Sequence, residues 1–339
     1  MNNANRGGKI VSVFISIIAL LGLVSWSACH RSQAPPDTFT IGVNQFMQHP
    51  LLDSVYKGLV DGLGEKGLSE QNGTKIILKN ANGDQNTAFQ INKQFVSQNV
   101  SMIVPIATPS AQSACKTTTT IPIVFAAITD PVAAGIVDSF NVPGGNKTGT
   151  SDLWPYAKQA ALVKRIIPGA KTVGIILNPG ESNTEASMKL IRPALQDLGL
   201  ARVEVSVSST GEVYAAAKSL VGRCDVILVP ADNTVTTAFD SVFRVCRDNR
   251  LPLFAGSIDL VKRGAIATYG VNYYEIGKAT GYLAARILKE KLDPGRVPVV
   301  VESKADLVVN SKAAEILGVR LPDSILKEAQ SVIGEIQFR

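Results

Sequence analysis

Histidine is nearly absent from this 339-residue chain, which has only His30 and His49. With His30 beside the N-terminal apolar stretch, no Ser-His-Asp constellation or histidine-based metal cluster can be assembled, so neither an enzyme of that kind nor a cofactor is expected. Cysteine is scarce too. Beyond Cys29 there are Cys115, Cys224 and Cys246, whose spacing suits no zinc site and whose odd number suits no disulfide framework. Cys224 opens one predicted strand and Cys246 ends the following helix, so a bridge between them and two separate buried thiols are both open readings. Basic residues exceed acidic ones by 34 to 28, yet no basic stripe with interleaved aromatics occurs, which argues against a nucleic-acid partner. After the N-terminus no second run of eighteen apolar residues appears, so no further membrane span is expected.

The N-terminus has the order of an export signal. Arg6 and Lys9 precede an apolar core at 10–24, then come Ser25, Ser27, Ala28 and Cys29. Residues 1–28 read as a signal peptide, followed by a linker at 29–38. Cys29 suggests a lipoprotein cleavage site with a lipid anchor, although Trp26 stands where such signals usually carry an aliphatic residue. Ordinary cleavage and an uncleaved anchor are the alternatives. The expected location is the periplasm or the extracytoplasmic face of a membrane.

The remaining 300 or so residues suffice for two lobes. Strands at 39–44, 75–80, 101–106 and 121–125 alternate with helices beginning at His49-Pro50 and spanning 87–98 and 110–117. That rhythm predicts an α/β fold with parallel sheets. It restarts after the glycine-rich passage at 143–150 and continues to a long helix at 274–292. Two strand ends mirror each other: Ile106-Ala107-Thr108-Pro109-Ser110 and Val229-Pro230-Ala231-Asp232-Asn233-Thr234. Each follows a short apolar run, as in a strand buried on both faces, and each offers polar groups where a helix begins. In open α/β sheets ligands bind at that edge, so two such edges imply two lobes closing on one small molecule. Gly62-Leu63-Gly64-Glu65-Lys66-Gly67 spells a dinucleotide fingerprint, but it ends a predicted helix instead of following a strand, so that reading is dropped.

Several segments resemble one family. They include Ile41-Gly42-Val43 with Gln45 and His49-Pro50, Ile106-Ala107-Thr108-Pro109, Thr129-Asp130-Pro131, Gly149-Thr150-Ser151-Asp152, Asn178-Pro179-Gly180-Glu181-Ser182-Asn183, Asp232-Asn233-Thr234, and Tyr273-Tyr274-Glu275-Ile276-Gly277. In this order they are similar to ABC-transporter substrate-binding proteins of the group that includes tryptophan- and tyrosine-binding lipoproteins. The resemblance implies a type I periplasmic binding-protein fold of two doubly wound parallel-sheet lobes joined by a three-crossing hinge. Lobe one would hold 39–149 and 271–296, and lobe two 150–270 and 297–339. The crossings would fall at 148–151, 270–272 and 294–298. The implied role is a monomeric, non-catalytic solute-binding component that delivers a small zwitterion, an aromatic or other apolar amino acid, to an ABC permease and its ATPase. The alternative is an extracytoplasmic sensor presenting its closed form to a signalling receptor.

Such a ligand needs an anion cradle, a negative charge and an apolar wall. Thr108-Pro109-Ser110 opens a helix, where free N–H groups and the helix dipole favour a carboxylate. Asp130 and Asp232 are the candidate partners of an ammonium, and Asp232 is favoured, with Asn233 and Thr234 as hydrogen-bonding neighbours. Both aspartates also suit plain helix capping. Glu181, Ser182 and Asn183 mark a further rim, Gln45 ends the first strand as a polar cleft residue, and Trp154 is the candidate stacking surface, with Phe46 and Tyr156 nearby.

Overall fold

The computed structural model describes residues 38–301 and 305–337. The signal, Cys29 and all but the last residue of the 29–38 linker lie outside them. The first elements are β1 (Thr40–Gln45), α1 (Pro50–Glu65), β2 (Lys75–Asn80), α2 (Gln85–Ser97), β3 (Met102–Ile106), α3 (Thr108–Cys115), β4 (Ile123–Ile128) and β5 (Lys147–Ser151). A second series follows: α4 (Tyr156–Ile166), β6 (Thr172–Leu177), α5 (Ser182–Asp197), β7 (Ala201–Ser206), α6 (Val213–Ser219), β8 (Val226–Val229), α7 (Asn233–Thr237), α8 (Phe239–Asn249), β9 (Leu253–Ala255), α9 (Ile258–Lys262) and β10 (Ala267–Gly270). The chain continues through α10 (Tyr273–Glu290), β11 (Val300–Val301), β12 (Asp306–Asn310), α11 (Ser311–Ile316), α12 (Asp323–Glu328) and β13 (Ser331–Ile333).

One sheet has the order β11-β5-β4-β3-β1-β2 and is parallel throughout. A second, β7-β6-β8-β9, is also parallel. Continuous apolar sequence is what a parallel strand needs when helices cover both faces, and every residue of β3, β4 and β8 is buried. A third sheet, β10-β12-β13, carries one antiparallel pair.

Helix α10 returns the chain to the first sheet by packing directly on α1. A Cβ on Gly58 would lie 2.0 Å from the Tyr274 carbonyl oxygen, and one on Gly277 2.1 Å from that of Val55. A Cβ on Gly62 or Gly281 would lie 2.5 Å from a carbonyl oxygen of the opposite helix. Of the glycines at 62, 64 and 67, only Gly62 packs against the backbone of α10; a Cβ on Gly64 would meet nothing within 4 Å, and Gly67 takes φ 75° just beyond the end of α1. No helix among the described residues is long and apolar enough to cross a membrane.

The passages between sheets differ from the expected positions at two points. Residues 148–151, where the family resemblance implies a crossing, form most of β5, where Thr148 and Gly149 pair with Val124 and Phe125. Gly149 is required for packing there, since a Cβ would lie 2.0 Å from the Phe125 carbonyl oxygen. The chain leaves the first sheet at Asp152 and reaches α4 at Tyr156. Val300 and Val301, beyond the boundary expected at 296, pair with Thr150 and Ser151 in that same sheet. The middle passage, 271–272 between β10 and α10, falls within the expected 270–272. Cys115, Cys224 and Cys246 are all free thiols, which selects the unbridged reading; burial pushes the Cys115 and Cys224 thiols up to about 11.

Candidate ligand-binding site

The C-terminal ends of the parallel strands of both sheets face one small cavity of about 30 Å³. The first sheet contributes Ala107 and Thr108 after β3, Ala127 and Thr129 at the end of β4, and Asp152 after β5. The turn after β1 contributes His49, held at the start of α1 by Pro50 at its first position. From the second sheet come Asn183 in the first turn of α5 and Ala231, Asp232, Asn233 and Thr236 at α7. Leu51, Leu52, Trp154 and Tyr273 complete the wall with apolar surface. Among the described residues no lysine or arginine lines the cavity.

Five of the expected residues line it: Thr108, Trp154, Asn183, Asp232 and Asn233. The rest stand behind or beside it. Gln45 turns its amide to the Met47 carbonyl and to Asp53, each at 2.8 Å, and braces the turn that presents His49. Pro109 and Ser110 are buried in α3, where the Ser110 hydroxyl donates to Asn44 at 3.4 Å. Asp130 accepts from the N–H groups of Val132 and Ala133 and so closes its own turn. The Ser182 hydroxyl is buried without a partner among the described residues. Glu181 and Thr234 border a second hollow of about 420 Å³ that also involves Phe46, Met47 and Ser208.

Glu181 and Asp232 together seal the start of α7. Glu181 accepts from the N–H groups of Asn233 and Thr234 (both 3.0 Å), the Asn233 amide (2.6 Å), the Thr234 hydroxyl (2.8 Å) and the Asn183 amide (3.0 Å). Asp232 accepts from Val235 N–H at 2.8 Å, Asn178 N–H at 2.6 Å and the Thr184 hydroxyl at 2.9 Å. Burial, and then the neighbouring negative charge of Glu181, pushes the Asp232 carboxyl up to about 7. Because the Asn233 amide nitrogen is committed to Glu181, its oxygen faces His49, whose Nε2 donates to it at 3.3 Å across the cleft.

Asp152 lies in a different setting. It is 4% exposed; one oxygen accepts from the Tyr273 hydroxyl at 2.5 Å, and the other has no hydrogen-bond partner among the described residues. Burial raises its carboxyl above the usual range, opposed by the Tyr273 bond and by the Thr129 hydroxyl, which lies close without making a hydrogen bond of normal geometry. The Trp154 indole N–H donates to the Tyr273 oxygen at 3.2 Å, and its ring lies against Gly256, where a Cβ would fall 1.6 Å from a ring carbon. Tyr156 packs beside Trp154 with ring centroids 5.8 Å apart. Asp152, Tyr273 and His49 were not among the expected site residues, although each lies within a segment that carries the family resemblance. Their common signal is position: each follows the end of a strand.

Two of the non-glycine residues with positive φ also lie on the cavity wall, Ala107 (φ 76°) and Ala127 (φ 55°). Such backbone is costly for an L-residue and concentrates where a site imposes its own geometry.

Two parallel-sheet lobes meeting over a cavity rimmed by their strand ends define a bilobal solute-binding protein of the type I periplasmic fold. The chain matches the family model for ABC transporter substrate binding proteins over residues 40–333, and it belongs to that family. It is accordingly a solute-binding component of an ABC transport system, a role played outside the cytoplasm. It is 36% identical over 277 residues to a tyrosine-binding protein of Clostridioides difficile, covering 82% of this chain and 80% of that one. A Streptococcus pneumonia ABC domain in complex with L-Trp superposes with a TM-score of 0.84 at 35% identity, covering 88% of this chain and all of that one. The ligand-free, open structure of a substrate-binding protein with adhesive properties from Clostridium difficile gives only 0.67 at 33% identity, with the same coverage. At nearly equal identity the chain thus superposes more closely on the ligand complex than on the open structure.

Proposed function

We propose that the transported solute is an α-amino acid with an aromatic or other apolar side chain. The observation that carries this reading is a pair of buried, unpartnered acceptors, Asp152 Oδ1 and Asn183 Oδ1, on residues that line one cavity. The Asn183 amide nitrogen already donates to Glu181 and to the Ala231 carbonyl, so its oxygen is left to accept. Two acceptors, one of them a carboxylate, beside no lysine or arginine call for a cation with several N–H groups, which an ammonium supplies. In this reading Thr108 and the first turn of α3 hold the ligand carboxylate. Leu51, Leu52, Trp154 and Tyr273 meet the side chain. Asp232, Asn233, Glu181, Ser182 and Thr234 form the frame of the second rim, and Gln45, Pro109, Ser110 and Asp130 support the first. The named relatives, one tyrosine-binding and one holding L-Trp, favour the aromatic choice.

The wider reading follows from the family. Residues 1–28 direct export, Cys29 carries a lipid that holds the protein at the membrane, and the monomer passes its ligand unchanged to a permease and ATPase. The lobes are best divided as 39–151 with 273–301 and 156–270 with 306–337. Titration calorimetry with L-tyrosine and L-tryptophan, against 3-(4-hydroxyphenyl)propanoate and tyramine, tests the ligand assignment. The amino acids should bind at least about 100-fold more tightly than either analogue, since each analogue leaves a buried group unpaired. Equal binding of the deaminated acid would remove Asp152 from its assigned role.

A further inference from the structure

We infer that Asp152 makes lobe closure conditional on the ligand's amine, and that Tyr273 is the positioning residue that ties this carboxylate to the hinge. The inference rests on the amino-acid reading for the identity of the cation, but its test on the empty protein does not.

The geometry is that of a hinge built into the binding site. Asp152 is the first residue after β5 and opens the passage to α4. Tyr273 is the first residue of α10, directly after the passage at 271–272. The bond from the Tyr273 hydroxyl to Asp152 therefore joins the residue that opens one passage to the residue that directly follows another. Trp154, within the first passage, donates to the same hydroxyl and rests on Gly256, which follows β9 of the second sheet. All three side chains line the cavity. A group that meets the solute is thus also a group on which the lobes turn.

Closure places this carboxylate among neighbours that do not neutralise it. Thr129 faces it from the end of β4, Tyr273 from the first turn of α10 and Trp154 from the first passage, and Tyr156 lies close enough to interact electrostatically. The other titratable groups of the cavity are Asp232, on the second rim, and His49, whose Nε2 is directed to Asn233. One Asp152 oxygen remains buried and unpartnered. Parting the lobes rewets it. Closing them empty strands a charge or requires the carboxyl to take up a proton, whereas closing them on an ammonium does neither. A solute of the right shape without an amine would enter and fail to hold the lobes shut, so one carboxylate supplies both selectivity and the trigger.

Small-angle scattering of the ligand-free protein at pH 7.5 tests this with Asp152→Asn, a near-isosteric change that removes the charge. The empty variant should be more compact than the empty wild type, with its closed-to-open ratio raised about 10-fold or more. Coincident curves for the two empty proteins, or an empty wild type already closed, would overturn the inference. Tyr273→Phe provides a second arm should Asp152→Asn fail to fold. Ligand affinity falls as pH drops through the Asp152 pKa; loss of the tyrosine hydroxyl, a donor that favours the charge, should start that fall at higher pH. An unmoved profile would count against Tyr273 as the positioning residue. If wild type binds neither L-tyrosine nor L-tryptophan, the amino-acid reading fails, while the comparison of empty proteins still decides whether Asp152 governs closure.

Discussion

The two strand-to-helix junctions that mirror each other in sequence are opposites in structure. At the first, Ala107 caps α3 with φ 76° and provides no side-chain cap. At the second, Asp232 caps α7 from extended backbone at φ −135°, and Glu181 takes the N–H groups that Asp232 does not. A helix start whose donors are occupied by two carboxylates cannot cradle an anion; one left without a side-chain cap can. The buried aspartates differ in the same sense. Asp232 has three donors on its two oxygens, whereas Asp152 keeps one oxygen unpartnered. In the proposed reading, hydrogen-bonding capacity left over, more than charge or burial, separates a frame residue from one that meets a solute.

The largest effect that probes this contrast is on folding. Asp232→Ala strands the Val235 and Asn178 N–H groups and the Thr184 hydroxyl, and should lower unfolding free energy by about 3 kcal/mol in urea titration. A loss below about 1 kcal/mol accompanied by lost ligand affinity would reverse the roles assigned to the two aspartates.

The pH dependence of stability comes next. Burial and the Glu181 charge push the Asp232 carboxyl up to about 7 in the folded protein, against 3.8 for an ordinary aspartate. Between those values the folded state holds the proton that the unfolded state has released. Its contribution to stability is therefore complete below about pH 4 and is lost as pH rises through about 7, a decline of about 2 kcal/mol given that Glu181 shares the interaction. Asp232→Asn keeps a capping oxygen and should flatten that part of the profile. A variant as steep as wild type between pH 4 and 7.5 would assign the titration to another group.

Asn183→Ala should cost ligand binding about 10-fold, or 1.4 kcal/mol, by calorimetry, since it removes one neutral acceptor and leaves Asp152 in place. A loss as large as that of Asp152→Asn would mean that the second rim carries the ammonium after all.

Much of the fold could be read from the chain because buried parallel strands are written as short apolar runs, and Met102-Ile103-Val104-Pro105-Ile106 and Val226-Ile227-Leu228-Val229 are such runs. Where the rims lie was legible for the same reason. Glycine at the first expected crossing fits a hinge in sequence, whereas in the structure Gly149 lets β5 approach the backbone of Phe125. In sequence Asp232 and Asp152 look alike, since an Asp after a strand end reads the same whether its oxygens are free or committed. That difference depends on Asn178, Thr184 and Tyr273, which lie at least 48 residues away in sequence from the aspartate each one meets. No local pattern encodes it.

The smallest predicted effect concerns the strain at the first rim. Ala107 combines φ 76° with ψ 154°, a region that only glycine occupies readily, at a cost of about 1–3 kcal/mol. Ala107→Gly relieves that strain but adds freedom to the unfolded chain, which opposes it by about 0.5–1 kcal/mol. A net gain of about 1 kcal/mol is expected, seen as a higher melting temperature of the ligand-free protein. Asp232→Gly at the mirrored position should do the reverse, because extended backbone at φ −135° holds no such strain and the cap is lost. If the two glycine variants shifted melting in the same direction, the backbone at Ala107 would not be under strain, and the two rims would differ only in their caps.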